Sequence, residues 1–389
     1  ELWEKLHISY DDFIRTTENR HKKVVQKILK IVMDKGDIYE SEYVGLYSVS
    51  EERFITEKEA ESGQFRDIKK IKEKNYFFKM SKYQRQLIDH IKRNPKFIQP
   101  NHRKNEILSF LREPLNDLCI SRPKSRLNWG IELPFDPDYV TYVWFDALIN
   151  YITAPGYGID EISFKKWWPA SYHLIGKDIL TTHTVYWPTM LMSAGIQLPI
   201  SIFAHGWWLM GDSKMSKSLG NVVNPMDLID DYGVDPVRYY LMREMVLGQD
   251  SSFTMESFIQ RYNSDLANDF GNLLSRVSTL IKKNYDGTIP VPGELTDAEL
   301  SIKANGETLV NIVQKKIEGM RINEAIEETM QYIRSVNRYM EENAPWKLVK
   351  EDKVAASRVL YTAGEALRIG AILLSPVMPN RTAILLDVL

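Results

Sequence analysis

The spacing of apolar residues in the first part of the chain changes between a helical and an extended period. Apolar side chains recur every three or four residues over 18–33 and stop before Gly36, which predicts a helix closed by a glycine. Aromatic and β-branched residues dominate 38–55, which predicts strands. Helical spacing returns over 81–93 and 101–116.

Short apolar runs mark the middle of the chain. Residues 139–145, 172–175 and 200–204 have the pattern of buried strands, and a turn or helical segment follows each of them. Such alternation is typical of a parallel, doubly wound sheet. Asn224 and Asp235 each precede a proline, which predicts two short helices separated at Gly233.

The pattern is helical from about residue 253 onward. It predicts one long helix over 255–283 and further helices over 321–341 and 351–374. A Gly/Pro-rich loop at 286–293 interrupts them, and Thr296 with Glu299 has the spacing of a capping box. The sequence therefore predicts an α/β domain followed by an all-α helix bundle.

Length and composition limit the class of protein. A chain of 389 residues exceeds one ordinary core, so two or three domains are expected. No apolar run approaches the ~20 residues that span a bilayer. The single cysteine, Cys119, rules out an internal disulfide framework and favours a reduced, cytoplasmic setting. We expect it to be a small core residue.

The charge distribution says more than the net charge of −2. Between Arg66 and Lys104 there are thirteen Lys and Arg residues and three Asp and Glu residues. The stretch is either a solvated face or a track for the phosphate backbone of a nucleic acid.

A polar loop over 211–221 carries the strongest chemical signal. Glycines bracket it, and it contains the string Lys214-Met215-Ser216-Lys217-Ser218. Glycines let backbone approach a ligand, and lysines with backbone N–H groups neutralise phosphates. The alternative is a surface loop with ordinary lysines.

This ordered pentapeptide resembles the second signature of the class I aminoacyl-tRNA synthetases. The resemblance implies an ATP-binding sheet, adenylation of an amino acid, Mg²⁺ with the ATP, and catalytic roles for Lys214, Ser216 and Lys217. Lys217 would act most directly on the phosphates. The resemblance also implies an ATP-binding set: Gly176, Asp178, His205, Gly206, Trp207, Met215 and Lys217. Independently, ligands of open α/β sheets bind at the carboxyl ends of the strands.

Two further segments resemble the methionine pocket of the methionyl-tRNA synthetases. They are residues 142–151 and 178–188, and the resemblance implies the following methionine-binding residues: Trp144, Ala147, Leu148, Tyr151, Ile179, His183, Tyr186 and Trp187. Aromatic rings suit a polarizable thioether, each contact adding ~0.3–1.5 kcal/mol. A hydrogen donated by His183 or Tyr151 to the sulfur would help reject aliphatic side chains. The alternative is that these aromatics are only core; we accept it for Tyr142 and Phe145 and favour the pocket for Trp144 and His183.

The helix bundle holds a second candidate site. Asn268, Asn272 and Arg276 recur every four residues and share one helix face, and Trp346 lies in a break between later helices. By resemblance these residues bind the CAU anticodon, with Trp346 stacking on an unpaired base. From the residues alone, a capped helix face and a core tryptophan are the favoured explanation.

The sequence also departs from the family pattern. The first signature, His-x-Gly-His, is not found; His7-Ile8-Ser9-Tyr10 lacks its glycine and second histidine. We therefore expect an incomplete Rossmann-type sheet in which half of the ATP site is missing from the chain as given. Residues 47–50 and 65–68 occupy places where zinc-bearing members have cysteine pairs, so we expect no structural zinc.

The resemblance implies four domain segments. Residues 1–35 and 123–252 would form the catalytic domain, 36–122 a connective insertion, and 253–389 the anticodon-binding bundle. The expected activity is that of a methionine–tRNA ligase, and its expected partners are methionine, ATP and tRNA(Met). We expect a monomer, or a chain that acts with a complementing N-terminal segment. Two alternatives stay open: a non-catalytic tRNA-binding fragment, and another class I synthetase, although leucine, isoleucine and valine types carry a larger insertion and cysteine types need zinc ligands.

Overall fold

In the computed structural model the chain forms two compact units, one of residues 10–204 and one of residues 1–9 with 205–389. The structure describes residues 2–48, 53–55, 60, 67–211, 213–214 and 223–389. No helix in these ranges is long and apolar enough to cross a bilayer.

Three sheets belong to the first unit. In the first, Ile202–His205 lies between Ile98–Gln99 and His173–Gly176, and it pairs in parallel with Ile98–Gln99. The second sheet is antiparallel, in the order Arg53–Ile55, Ile38–Ser48, Ile68–Phe78 and Leu118–Cys119. The third, also antiparallel, has the order Ser121–Pro123, Asp136–Thr141 and Glu132–Leu133.

Helices pack around these strands on a single apolar core. The α-helices of this unit are Asn19–Asp34, Gln84–Arg93, Asn101–Phe110, Val143–Ala147, Asn150–Thr153, Glu161–Trp167 and Trp187–Ala194. Met80–Tyr83 and Lys177–Ile179 are 3₁₀ turns, and Thr182–Tyr186 is a π-helical turn. The helix Asn19–Asp34 buries the predicted stripe of Val24, Val25, Ile28, Leu29 and Val32. The α/β fold with a small parallel sheet is thus confirmed.

The second unit begins with a mixed sheet and continues as a helix bundle. Trp208–Met210 pairs antiparallel with Ser213–Lys214 and parallel with Ser251–Phe253. The helices are Leu2–Lys5, Pro225–Tyr232, Val234–Glu244, Met255–Arg261, Asn272–Asn284, Asp297–Glu318, Ile322–Asn343, Pro345–Glu351, Lys353–Leu374 and Pro379–Val388, with a π-helical segment at Tyr262–Gly271. The predicted all-α bundle is confirmed, and Thr296 and Glu299 form the predicted capping box.

Three local predictions differ from the structure. The predicted strand over 139–145 ends at Thr141, and Val143–Ala147 is a helix. The helix that begins at Asn101 ends at Phe110, six residues early. Asp235 does not cap a helix, because the helix starts at Val234; the Asp235 carboxylate instead accepts hydrogen bonds from the Arg381 backbone N–H at 2.6 Å and Asn380 Nδ2 at 3.2 Å.

Candidate functional site

All eight predicted methionine-binding residues lie in the unit Tyr10–Ala204. They stand on the short helices Val143–Ala147 and Asn150–Thr153, on the two turns between 177 and 186, or beside them. Leu148, His183 and Trp187 are buried. Trp144 and Tyr151 are half-buried and pack against the same apolar core, as do Ile179 and Tyr186. The set therefore lies at the edge of the core.

Tyr151 and His183 are joined by a hydrogen bond whose direction the geometry determines. His183 Nδ1 lies 2.9 Å from the carbonyl oxygen of Ile179, which only accepts, so Nδ1 carries the hydrogen. Burial lowers the pKa of His183, although the bond to Ile179 opposes that shift, so the ring is neutral and Nε2 is an acceptor. The Tyr151 hydroxyl, 2.9 Å from Nε2, must therefore donate.

This assignment changes the expectation that His183 or Tyr151 donates a hydrogen to a thioether sulfur. Both hydrogens already have acceptors: Ile179 for the imidazole and His183 for the hydroxyl. A sulfur would receive the Tyr151 hydrogen only if the hydroxyl turned away from His183. What remains available is the surface of the rings.

His173 belongs to the same aromatic group and was missed by the sequence analysis. Its ring lies 4.0 Å from the Tyr151 ring centroid, and its Nε2 accepts a hydrogen bond of 3.1 Å from Trp187 Nε1. Burial, with a smaller contribution from His183, lowers the pKa of His173 to about 3. The alternation of the strand His173–Gly176, in which His173 and Ile175 are buried and Leu174 is exposed, is the sequence signal that could have identified it.

The chemistry of this group suits an uncharged ligand. Both histidines are neutral near pH 7, and the aromatic rings of Tyr151 and Trp187 lie 6.1 Å apart by their centroids. Rings without a neighbouring charge favour an apolar, polarizable side chain over a charged one.

A buried pair positions the segment that carries Trp144. His21, fully buried on the helix Asn19–Asp34, places its Nε2 2.6 Å from the Asp146 carboxylate. Its Nδ1 lies 3.3 Å from Thr153 Oγ1. Asp146 lies between Trp144 and Ala147 in the chain, and Thr153 follows Tyr151 by two residues, so His21 contacts both short helices of the predicted pocket.

The predicted ATP-binding residues are divided between the two units. In the unit Tyr10–Ala204, Gly176 ends the strand His173–Gly176 and Asp178 is exposed in the following 3₁₀ turn. Both stand after a strand, where ligands of α/β sheets bind.

In the other unit, His205, Gly206 and Trp207 lead from a strand end into the mixed sheet. A Cβ on Gly206 would lie 2.0 Å from the backbone oxygen of Gln249, so only glycine permits this approach. The Trp207 backbone N–H donates to Asp250 Oδ1 at 2.9 Å.

The signature loop begins as a hairpin. The backbone of Lys214 pairs with Leu209, and Gly211 at the turn has a φ of +60°. Met215, Ser216 and Lys217 lie outside the described residues. The loop ends before Asn224, whose side chain caps the helix Pro225–Tyr232.

The structure brings two of the four predicted anticodon residues into contact. The Arg276 guanidinium carbon lies 4.8 Å from the centroid of the Trp346 ring, and Arg276 Nη1 lies 3.5 Å from Glu341. Trp346 keeps 39% of its surface exposed. Asn268 and Asn272 are exposed on the preceding turns of the same helix. An exposed ring with polar groups nearby can hold an unstacked base.

Among the described residues, no three His, Cys, Asp or Glu side chains come together in a way that would hold a metal ion. Burial raises the pKa of the Cys119 thiol, which keeps it protonated. The expectation that the chain has no structural zinc stays a prediction.

A small parallel sheet with aromatic side chains near its strand ends, joined in sequence to a helix bundle, defines the class of α/β proteins with an appended helical domain, in which ligands bind at the carboxyl ends of the strands. Comparison with known families identifies the family to which the chain belongs. Residues 1–64 and 62–278 match "tRNA synthetases class I (M)", and residues 289–389 match "Anticodon binding domain of methionyl tRNA ligase". The chain belongs to the methionyl-tRNA synthetase family of class I.

Individual relatives agree with this assignment. The chain is 47% identical to the methionine–tRNA ligase of Clostridium acetobutylicum over 98% of its own length, and 45% identical to that of Bacillus subtilis over 97%. It spans about 60% of the length of these relatives.

Solved structures are similar over nearly the whole chain. The Mycobacterium tuberculosis methionyl-tRNA synthetase in complex with methionyl-adenylate superimposes with a TM-score of 0.94 and 41% identity, covering 99% of this chain and 78% of that one. Its apo form gives a TM-score of 0.91 and 39% identity, with the same coverage.

Proposed function

We propose that this chain carries the methionine-recognising and anticodon-binding parts of a methionine–tRNA ligase. The enzyme would activate methionine with ATP to methionyl-adenylate and transfer it to tRNA(Met), in the cytoplasm, where translation takes place. The observation that carries the proposal is the neutral aromatic group of Tyr151, His173, His183 and Trp187, because it suits a thioether side chain.

Each predicted residue set has a proposed role. Trp144, Tyr151, His183 and Trp187 would enclose the methionine side chain. Gly176, Asp178 and His205 to Trp207 would bind ATP, and Lys214, Ser216 and Lys217 would neutralise its phosphates as pyrophosphate leaves. Asn268, Asn272, Arg276 and Trp346 would bind the CAU anticodon. No covalent enzyme intermediate is required, because positioning and charge stabilisation suffice.

Magnesium would enter with its substrate. Mg²⁺ is usually held by substrate phosphates and one or two carboxylates. We therefore propose that the ATP phosphates hold most of the ion's coordination sphere.

The domain division is proposed along the same lines. Residues 1–35 and 123–252 would form the catalytic domain, 36–122 the connective insertion and 253–389 the anticodon-binding domain. The two family matches support a catalytic part followed by an anticodon-binding part, but they meet between residues 278 and 289, later than the proposed division at 252/253.

Methionine binding by this chain tests the proposal directly. Tyr151→Phe removes the hydroxyl that donates to buried His183 and so releases the orientation of both rings. We expect methionine affinity to fall about fivefold, because the ligand must then restore an orientation that a neutral hydrogen bond of ~0.5–1.5 kcal/mol had fixed. Tyr157→Phe is the matched control, because Tyr157 lies in the same unit and outside the predicted pocket. Equilibrium dialysis with labelled methionine measures both. Unchanged affinity in Tyr151→Phe together with Trp144→Ala would exclude the pocket.

Methionine-dependent ATP–pyrophosphate exchange then separates the two candidate functions. Exchange by this chain would show that it forms adenylate by itself. Binding of a CAU stem-loop without any exchange would favour the tRNA-binding role for the chain as given. Lys217→Ala, in a chain that exchanges, should abolish exchange and leave methionine affinity unchanged.

A further inference from the structure

A large basic cleft lies in the unit Tyr10–Ala204. It has a volume of about 940 Å³ and runs between the helix Gln84–Arg93 and the loop 195–200. The helix side is polar and basic, with Lys82, Arg85, Gln86, Asp89, His90, Arg93 and Asn94. The opposite side is mainly apolar, with Met192, Ile196, Leu198, Pro199 and Ile200.

The cleft does not belong to the predicted ATP site. Its loop precedes the strand Ile202–His205, and Asn94 precedes the strand Ile98–Gln99, which pairs with it in parallel. The cleft thus lies at the amino ends of these two strands. Gly176 and His205, the predicted ATP residues, stand at the carboxyl ends of theirs.

Of the cationic side chains that line the cleft, Lys82 is paired with Asp37, so the free positive charge rests on the two arginines. Arg85 and Arg93 are exposed, and neither forms an ion pair with any residue that the structure describes. Over residues 79–96 there are six Lys and Arg residues and one acidic residue, Asp89. Burial lowers the pKa of His90, so its ring is neutral near pH 7 and the arginines supply the charge.

The helix that bears the arginines is held rigidly. Leu87 and Ile91 are fully buried beneath it. Its first residue, Gln84, donates to the Leu111 and Glu113 carbonyl oxygens at 3.0 and 2.8 Å and accepts from the Leu115 N–H at 2.9 Å. The arginines are therefore presented on a fixed surface, which lowers the entropic cost of binding an anion.

Asp37 fixes the start of this region. Its buried carboxylate accepts hydrogen bonds from Lys82 Nζ at 2.6 Å, from Ser193 Oγ at 2.8 Å and from the Tyr83 hydroxyl. It joins the residues before the basic helix to the helix Trp187–Ala194, and so to both sides of the cleft.

The spacing and kind of these groups point to a nucleic-acid backbone. Arg85 and Arg93 are eight residues apart, about 12 Å along the helix axis, so one phosphate cannot bridge them and a chain of phosphates can. The lining includes no tyrosine, tryptophan or phenylalanine among the described residues, and the His90 ring packs on Phe97 at 4.5 Å. Without an aromatic ring to stack on, an unpaired base has no preferred binding position in the cleft. Gln86 and Asn94 can bond phosphate or 2′-hydroxyl oxygens.

We propose that this cleft binds the phosphate backbone of a helical arm of tRNA, through Arg85 and Arg93, without reading its sequence. The inference rests on the proposed function for the identity of the RNA. An acidic protein segment, with carboxylates on the arginines and apolar side chains on Ile196 and Leu198, is the competing occupant.

The salt dependence of tRNA binding tests the proposal. Fluorescence anisotropy with labelled tRNA(Met) gives the slope of the logarithm of the association constant against the logarithm of salt concentration. Arg85→Ala with Arg93→Ala should make that slope less negative by about 1.4–1.8, two contacts at ~0.7–0.9 each, and weaken binding about tenfold at low salt. Lys22→Ala with Lys23→Ala, which removes two exposed charges from the same unit, should keep the parental slope.

The outcomes are distinguishable. A slope unchanged in the double arginine variant overturns the proposal. Loss of polyglutamate binding with an unchanged tRNA slope also overturns it, and assigns the cleft to an acidic protein segment. Failure of the proposed function has a different signature: the parent would bind tRNA(Met) and an unrelated tRNA equally, whatever the arginine variant does. Unchanged thermal unfolding of the variant confirms that it is folded.

Discussion

The buried pair of His21 and Asp146 should couple the stability of its unit to the shape of the predicted methionine pocket. His21 Nε2 lies 2.6 Å from the Asp146 carboxylate, and the two residues are 125 positions apart in sequence. The His21 side chain is fully buried and that of Asp146 is 18% exposed. Removing either partner leaves the other with a polar group that water reaches poorly, if at all.

A double-mutant cycle isolates this interaction. A hydrogen bond to a charged group contributes ~1.5–3 kcal/mol, and the partial exposure of Asp146 places our expectation near the lower value, about 2 kcal/mol. His21→Ala and Asp146→Ala should each destabilise the protein by about 2–4 kcal/mol, because each leaves an unpaired polar group and a cavity. The double variant should lose about 2 kcal/mol less than the sum of the two.

Urea unfolding followed by intrinsic fluorescence gives the four free energies, and methionine affinity gives a second readout. His21→Gln places an amide nitrogen near the position of Nε2, so it should recover part of the stability and of the affinity. His102→Ala, at an exposed histidine, should change the free energy of unfolding by less than about 0.5 kcal/mol. Additive single effects, or normal methionine affinity in a destabilised His21→Ala protein, would refute the positioning role.

Two further predictions concern stability. Asp37→Ala should lower the free energy of unfolding by about 3–5 kcal/mol, since it leaves two buried hydroxyl donors unpaired. The control Asp34→Ala, at an exposed position, should leave the free energy of unfolding nearly unchanged. Burial raises the pKa of Asp37, but the three hydrogen bonds together hold it below its ordinary value. The stabilisation by the ionised carboxylate is therefore full above about pH 4 and is lost as pH falls through the folded-state pKa. Urea titrations in acid should show the difference in unfolding free energy between the parent and Asp37→Ala becoming smaller over that range. Gly206→Ala should lower the thermal midpoint, because its Cβ would overlap the Gln249 backbone, while Gly364→Ala, in a helix with ordinary contacts, should keep or raise it; equal midpoints in differential scanning calorimetry would contradict this.

Regular elements with a strong period were predictable from the sequence. The stripe of the helix Asn19–Asp34 and the capping box at Thr296 needed only local information. The segment 139–145 was not predictable in the same way. Its aromatic and β-branched residues favour a strand, yet Phe145 is buried in the core from a helix that starts at Val143, so tertiary packing overrides local propensity.

The residues of the candidate pocket could be proposed from the sequence and stay a prediction, whereas the hydrogen bonds among them could not be proposed from it. The segments containing Trp144 and His183 were identified by resemblance, and the structure places them together. His173 and His21 escaped notice because their roles depend on contacts with Trp187 and Asp146, which sequence distance conceals. The donor and acceptor roles of Tyr151 and His183 follow only from the position of the Ile179 carbonyl.

Both predicted recognition sites are built partly on π-helical turns, which local sequence patterns do not reveal. Thr182–Tyr186 carries His183, and Tyr262–Gly271 carries Asn268. A π turn widens the helix and interrupts the regular hydrogen bonding. Such turns are rare overall, but a large share of them lie at functional sites. In the first, the Ile179 carbonyl accepts a hydrogen bond from the His183 ring four residues later, so it fixes the orientation of the imidazole. Restoring regular α-helical geometry there would rotate His183 relative to Tyr151. A strictly regular helical spacing of apolar residues, which favours that geometry, would therefore be a disadvantage at this position.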